Sequence, residues 1–479
     1  MKKIIILLVL IPTFCFGQWT QLGNDIDGVQ VNEISGTAIS LNGDGKTVAI
    51  GAPNNNTNGT TSGQARIFEW NATSWVQKGN FITGSVAGSR TGGSISLNDN
   101  GNVVIIGSPG SSVNSTIDGY AEVYEWTGTT WNQRGSTFNG INSNDSYGTT
   151  VSVNVIGDIV AIAAEPFSTA SYVRVFQWNG TTWNQMGSDI TTGIAEDGFG
   201  RSMKLNASGT IIAIGCENFD NATNNIGRVK VYEWNGTSWI QKGSDLLGDV
   251  VDDFFGTGVS INDNGTIVSA GARSSQDLSA GYVKIFEWNG SNYIQKGINI
   301  VGNDADFYGT STDLNSLGDK IIVGTILGDY ADILEWNGTE WIQVDSLIAE
   351  VAGDQFGRVV SMNNSGSSVA VGAAGNDTEG SQSGHVRVFE NSAILSIENV
   401  KPLNQFSAYP NPTNGKIKII GKDIIDSYDI ISIEGKILKS IKHNQQGELL
   451  IDLSVFNVGV YFINIKSNKN SNSFKIIKK

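Results

Sequence analysis

One short motif returns seven times along this chain, and that periodicity restricts its fold more than any other feature. Trp-x-Gln stands at Trp19/Gln21, Trp75/Gln77, Trp131/Gln133, Trp183/Gln185, Trp239/Gln241 and Trp341/Gln343, with Tyr293/Gln295 in the remaining slot. The steps are 56, 56, 52, 56, 54 and 48 residues. An earlier Trp, usually in an apolar-Glu-Trp triplet, precedes six copies at Trp70, Trp126, Trp178, Trp234, Trp288 and Trp336. Asn-x-x-Gly also occurs seven times, from Asn42/Gly45 to Asn363/Gly366. Self-similarity at this period marks a repeat architecture, in which each unit buries its faces on its neighbours.

Each unit reads as four short strands, A to D. In the unit near residue 260, strand A is 258–261 and Asn262-Asp263-Asn264-Gly265 turns the chain, Gly accepting the positive φ of a tight turn. Strand B is 266–270, strand C alternates over 282–288, Asn289-Gly290 turns again, and strand D is 292–296. About 50 residues and four strands make a propeller blade. The chain opens on a lone D strand at Trp19 and ends its repeats on an A, B and C set at 359–362, 368–372 and 385–390. Pairing the two ends completes the last blade and removes an open edge. The expected fold is all-β: a seven-bladed β-propeller over 18–391, a linker over 392–405, and a small Ig-like β-sandwich over 406–479.

Residues 1–17 read as a secretory signal peptide: Lys2 and Lys3, an apolar core from Ile4 to Pro12, and Cys15 and Gly17 before the cut. Lipidation at Cys15 is the less favoured reading, because bulky Phe14 precedes it. No later run approaches the ~18 apolar residues of a membrane helix. Cys216 is then the one remaining cysteine, so no disulfide forms within the chain. Net charge is −15, with +6 from residue 401 onward and −21 before it. Nucleic acid is an unsuitable partner for so acidic a body. The charge step marks a domain boundary near residue 400.

The twelve tryptophans all lie in C–D hairpins. They suit packing between blades at the outer edge; a sugar-binding platform is the alternative. The loop entering strand A has its own signature, Asp-x-[Phe/Tyr]-Gly, at Asp145, Asp197, Asp253, Asp306 and Asp354, while the first two units have Glu33-Ile-Ser-Gly and Ser89-Arg-Thr-Gly. These five Asp are the candidate ligand-binding residues, on the end of the ring where the long B–C loops emerge. They either cap their own turns or form an acidic rim for a cation or cationic ligand. His385 takes the place of an aromatic at the start of strand C (Tyr120, Tyr172 and Tyr282 elsewhere) and reads as structural. His443 lies in a polar loop. The residues present no Ser-His-Asp set, Cys-His pair or His cluster, so no catalytic or metal site is assigned. Cys216 reads as a small buried residue.

Together with strand ends such as Ile50-Gly-Ala-Pro53 and Val371-Gly-Ala-Ala374, the Phe-Gly element resembles the FG-GAP repeats of the integrin α-subunit propeller and its bacterial relatives. That resemblance implies Ca²⁺ in Asp-rich A–B loops. Here those turns carry at most one Asp (Asp44, Asp99, Asp263), too few oxygens for a hard cation, so no cofactor is expected. Residues 406–479 resemble the type A C-terminal sorting domain of type IX secretion, through Tyr409-Pro410-Asn411-Pro412 with Gly415, then Gly459-Val-Tyr461-Phe, and terminal Lys475-Ile-Ile-Lys478. The resemblance implies recognition by the type IX machinery, cleavage of the domain, and release or attachment at a bacterial outer-membrane surface. The function expected is a monomeric binding or adhesion propeller, without enzymatic activity, that holds a glycan or protein on its loop face. An extracellular polysaccharide-acting enzyme and a purely structural surface protein are the alternatives.

Overall fold

The structure is a computed structural model that describes residues 19–110, 118–141, 145–166, 169–195, 197–220, 225–273, 280–391, 406–409, 412–432, 436–466 and 471–479. The signal peptide and the linker lie outside these residues. Strands account for all the regular structure described, and no described helix is long and apolar enough to cross a membrane. Two compact units meet between Ile394 and Leu395.

The first unit is a β-propeller: seven antiparallel sheets, each ordered A-B-C-D. Strand B of six blades, for example Val103–Ser108 and Ile211–Cys216, is buried at every position. A strand covered on both faces reads as a continuous apolar run rather than an alternation. Strand C faces outward at its far end, where the Glu of the apolar-Glu-Trp triplet is exposed, as in Gln64–Trp70 and Arg228–Trp234. In blade 5 the strands are Phe255–Ile261, Ile267–Ala272, Tyr282–Trp288 and Tyr293–Gln295. Strand A therefore begins three residues before the sequence reading placed it, at the Phe of the Phe-Gly element.

Closure is as the two chain ends suggested. Trp19–Gln21 pairs antiparallel with His385–Asn391, which pairs with Ser368–Ala373 and through it with Phe356–Met362. The A–B turns then join around the axis. The N–H of Gly43 donates to Asp99 O, Asp99 to Val155, Val155 to Ala207, Ala207 to Asp263, Asp263 to Ser316, Ser316 to Asn364, and Asn364 back to Gly43, at 2.9–3.2 Å. Each turn is held by its Asn. The Oδ1 of Asn42 accepts from the N–H groups of Lys46 and Thr47 at 3.0 and 2.8 Å, and the other six repeat the pattern. A side-chain acceptor of this kind satisfies backbone donors that the turn leaves over.

Two further contacts join neighbouring blades. A Cβ on Gly51, Gly107, Gly215, Gly271, Gly324 or Gly372 of strand B would stand 1.8–2.3 Å from the carbonyl oxygen of the next blade's Phe-Gly-type glycine. Gly372 meets Gly36, so this contact crosses the closing seam as well. At the rim, the D-strand Trp donates its indole N–H to a backbone carbonyl of the preceding blade: Trp75 to Leu22, Trp131 to Lys78, Trp183 to Arg134, Trp239 to Met186 and Trp341 to Lys296, at 2.7–3.1 Å. The C-strand Trp lies over the following glycine, as Trp126 does over Gly79. Paired Trp rings sit 5.2–5.6 Å apart and tilted, a geometry worth roughly 0.5–1.5 kcal/mol per pair beyond burial. The tryptophans pack blades together.

Those rim glycines have a consequence the sequence reading missed. Gly23, Gly79, Gly135, Gly187, Gly243 and Gly297 have φ of +75 to +85° and split strand D in two, its outer piece pairing with the start of strand C, as Ile82–Thr83 does. Blade 6 has Val344-Asp345 at this point, and its D strand runs unbroken from Trp341 to Ile348.

In the second unit Lys416–Ser432 pairs with Phe406–Tyr409, Ile437–Asp452 and Gly459–Lys466, and Ser471–Lys478 completes one five-stranded antiparallel sheet. Where a two-sheet Ig-like sandwich was expected, hydrogen bonding is continuous through this 17-residue strand, whose register shifts let it pair on different partners at its two ends. Ile417, Ile430, Leu449, Ile463 and Ile476 share its core.

Replacing Gly271 by Ala drives a methyl group into Gly309 O, 1.8 Å from the ideal Cβ. Gly271→Ala is expected to cost about 1–3 kcal/mol, the usual range for overpacking, measured by urea unfolding. The matched change Ala270→Gly, which removes a methyl group from the adjacent position, tests whether crowding and not strand propensity is responsible.

Candidate functional site

The five candidate Asp residues lie at one end of the ring, but they do not form an acidic rim. Asp145, Asp197, Asp253 and Asp354 are buried, and Asp306 is half-buried. Each carboxylate works within its own blade. Asp145 Oδ2 accepts from Ile141 N at 2.8 Å and Tyr172 Oη at 2.7 Å. Asp253 Oδ2 accepts from Asp249 N, Val250 N and Tyr282 Oη at 2.5–2.8 Å. Asp197 accepts from Thr192 Oγ1 and Phe199 N, and Asp354 from Asn376 Nδ2 at 2.9 Å. Asp306 lies beside the Tyr330 hydroxyl. Burial and these carboxylates push the Tyr172, Tyr282 and Tyr330 hydroxyls up. The structure thus brings Asp145, Asp253 and Asp306 to a Tyr, Asp197 to Arg228 and Asp354 to Asn376, and no two of the five to each other.

The next residue explains the need for such an acceptor. Ser146, Phe254, Phe307 and Gln355 all have φ of +47 to +57°, as do Ile34 and Arg90 in the two blades without the Asp. Non-Gly residues in this region cost about 1–2 kcal/mol each, and the buried carboxylate secures the turn that imposes it. Blades 1 and 2 solve the same problem differently. Glu33 accepts from Val29 N at 2.6 Å and pairs with buried Arg66 at 3.0 Å, and Arg66 also donates to Ser35 at 2.7 Å. Ser89 exchanges bonds with Val86. Where the others bury Tyr147, Phe199, Phe255, Tyr308 or Phe356, these blades have Ser35 and Thr91. Arg66 fills the first space, and Tyr120, whose hydroxyl lies 3.2 Å from Thr91 Oγ1, serves the second.

Three features remain unused by the scaffold. The first is the channel, about 110 Å³. Strand A places Ser40, Ser96, Ser152, Ser260 and Ser361 around it, with Lys204 and Asp313 at the two equivalent positions. All five of these serines accept from the next blade's strand A at 2.9–3.1 Å. Lys204 pairs with Asp313, which also accepts from Met362 N at 2.9 Å. The channel is a satisfied polar seam.

The second lies at the loop end, at the position that Pro53 holds in blade 1. Pro53, Pro109, Ile326 and Ala374 occupy four of these positions and Glu165, Glu217 and Arg273 the other three. Arg201 binds Glu217 at 2.7 Å and Glu165 at 3.7 Å, Arg273 reaches Glu217 at 3.6 Å, and its guanidinium lies 4.7 Å from the Phe254 ring. Burial holds the Glu165 carboxyl above the usual range, opposed by Arg201. Beside this cluster, Asp197, Asn218, Phe219, Asp220 and Asn225 line an open cleft of about 440 Å³. Phe219 stacks on Arg228 at 3.6 Å, and Asp245 holds Arg228 at 3.0 Å. Cys216 is buried in the same blade, its thiol pushed up to about 12 by burial, so it is an inert core residue.

The third is His385. It is buried at the first position of strand C, and burial pulls its imidazole down. Its neighbours are Asp25 and Asp27, on the strand that closes the ring.

In the second unit the sorting residues gather around the loop 453–457. Lys478 Nζ donates to Ser454 O at 3.2 Å and to Phe456 O. Tyr461 Oη donates to Asn457 O at 2.7 Å. Gly415, at φ +130°, accepts from Leu453 N, and Gly459 pairs with Lys478. Pro412 is exposed. Pro410, Asn411 and the side chains of Tyr409 and Lys475 lie outside the described residues.

Comparison with known proteins agrees with both halves. Residues 407–479 match the secretion system C-terminal sorting domain, and residues 341–389 match the FG-GAP repeat. The chain therefore carries an FG-GAP repeat within its β-propeller and ends in a type IX sorting domain, which marks proteins secreted or attached to the cell surface. No curated protein matches it. Among solved structures it is similar to hydrazine synthase of Kuenenia stuttgartiensis (TM-score 0.51, 9% identity, 78% of this chain and 97% of that one). It is also similar to the Cps50 (Swd1) β-propeller domain of Myceliophteria thermophila (TM-score 0.46, 11% identity, 77% and 99%). Likeness at these identities concerns the fold alone.

Asp253→Ala leaves two backbone N–H groups and the Tyr282 hydroxyl without their acceptor and is expected to destabilise by about 2–3 kcal/mol, read by chemical denaturation. Glu165 gives a pH test. Its folded titration lies above its unfolded one, so its contribution to stability is full below the unfolded value and is lost as pH rises through the folded value. Glu165→Gln should therefore melt at higher temperature than wild type at pH 7. The difference should disappear below about pH 4, where the unfolded carboxyl is also protonated.

Proposed function

We propose that the propeller is a non-catalytic binding module, displayed outside the cell by its sorting domain, whose ligand is a glycan held at the loop end of blades 3 to 5. The observation that carries this reading is the cleft at Phe219. It sets one aromatic face beside the amide of Asn218 and the carboxylate of Asp220. A ring face with a few convergent hydrogen-bonding groups is what a hydroxyl-rich, partly apolar ligand requires. Phe219 is fixed from behind by Arg228, so it meets a ligand without losing further side-chain freedom. The charged cluster at Arg201 and Arg273 extends the same surface toward the axis.

An enzymatic reading has one observation in its favour: Glu165 and Glu217 share Arg201, and Glu165 holds its proton more tightly than an ordinary carboxyl. A pair of carboxyls, one of which keeps its proton to higher pH than usual, is a feature of glycosidase sites. A glycan array with the mature chain, followed by calorimetry on Phe219→Ala and Asn218→Ala, decides between the two. The binding reading expects at least a tenfold loss of affinity with an unchanged melting temperature, and no product from any polysaccharide. Product formation abolished by Glu165→Gln would replace it with the hydrolytic reading.

A further inference from the structure

The ring is closed by few bonds. Trp19–Gln21 and Ile26–Asp27 are the two short strands that the N-terminal segment contributes to the last blade. At that seam the chain gathers three potential ligand atoms, from Asp25, Asp27 and His385, all within 4.8 Å of one another. His385 Nδ1 lies 3.4 Å from Asp25 Oδ2 and 3.9 Å from Asp27 Oδ1.

His385 is 1% exposed, and its Nδ1 has no hydrogen-bond partner. A buried polar atom left without a partner costs about 1–3 kcal/mol, and here it points at two carboxylates that also repel each other. The other oxygen of Asp25 is already fixed by Gln21 Nε2 at 2.6 Å and faces Arg387 at 3.5 Å, which leaves Oδ2 directed at the imidazole. The equivalent position of strand C is Tyr in four other blades, at Tyr120, Tyr172, Tyr282 and Tyr330. In two of them the hydroxyl bonds the Asp of the same blade, and in a third it lies beside it. In blade 7 that Asp, Asp354, bonds Asn376 instead, so His385 is not occupied by the bond its position otherwise makes.

From this geometry we propose that Asp25, Asp27 and His385 form a binding site for a divalent transition metal of the zinc type, which clips the N-terminal strand of the ring to its last C strand. One imidazole and two carboxylates are a common zinc donor set, and ligand atoms around tetrahedral zinc stand about 3.4 Å apart. Two of the three separations are already near that value, and a small rotation of Asp27 supplies the third. All three donors are ones that zinc takes in deprotonated form, whereas calcium and magnesium favour all-oxygen shells. Bound metal would tether two segments from opposite ends of the propeller sequence, in a chain that has no disulfide to do so.

The test uses the full mature chain, stripped with chelator and titrated with ZnCl₂ by calorimetry, with thermal unfolding in parallel. One zinc per chain is expected, with a higher melting temperature that EDTA reverses. His385→Tyr restores the residue four other blades carry there and should fold. It should bind zinc at least tenfold more weakly, as should Asp27→Asn, whereas His443→Gln should bind as wild type does. No zinc binding by wild type, or equal binding by folded His385→Tyr, overturns the proposal. Should His385→Tyr fail to fold, X-ray absorption of zinc-loaded wild type decides: an oxygen shell with one imidazole supports the site, and a shell without imidazole overturns it.

Discussion

Gly43 donates to Asp99, and the line of N–H donors passes through each A–B turn until Asn364 returns it to Gly43. A circle of this kind has no terminal member. Every turn must present one donor and one acceptor at the same height and rotation, so each blade's inner strand is fixed by its two neighbours and fixes them in return. The serine ring one layer up repeats the constraint through side chains. The strictness of the repeat differs from motif to motif. The turn motif Asn-x-x-Gly occurs in all seven units, the rim motif Trp-x-Gln in six with one Tyr, and the loop motif Asp-x-[Phe/Tyr]-Gly in five. The turn motif tolerates least change, the rim motif a little more, and the loop motif most.

That gradient also says what could be read from the sequence. Seven sheets, the paired tryptophans and the completion of the last blade by Trp19 were legible because each rests on a local pattern repeated several times. The Phe-Gly glycine was visible as a motif, but its purpose was not. It exists because a carbonyl of one blade touches a glycine of another some 40 residues away in sequence, and no single unit contains both atoms. The five Asp were correctly placed at one end of the ring. Their burial was hidden, because the φ of the following residue decides it and Ser146, Phe254 and Gln355 are not residues that announce a positive φ. Glu33 was set aside as a departure from the motif, yet it does the same work with one more methylene and a buried Arg66 as partner. The signal that would have found it is the simultaneous loss of the aromatic at Ser35.

In the second unit the logic is similar. Lys478, which marks the sorting motif in the sequence, spends its charge on two loop carbonyls, Ser454 and Phe456. It therefore closes the sheet end, with Tyr461 and Gly415 holding the same loop from other sides. Motif residues here are structural first, and recognition falls to the surface they shape.

The same division applies to the propeller and directs the search for function. Residues that repeat are consumed by closure, blade contact and turn geometry. A ligand contact must come from positions that the repeat leaves free, and these are the ones where blades differ at equivalent places. At the position of Pro53, apolar or proline side chains serve four blades, while blades 3, 4 and 5 carry Glu165, Glu217 and Arg273. Burying Glu165 and Glu217 beside Arg201 adds desolvation cost without adding a blade contact that Pro53 or Ala374 fails to make. Scaffolding gains nothing from that substitution. Its three occurrences are in consecutive blades, next to the cleft at Phe219, so the departures from symmetry form one contiguous patch.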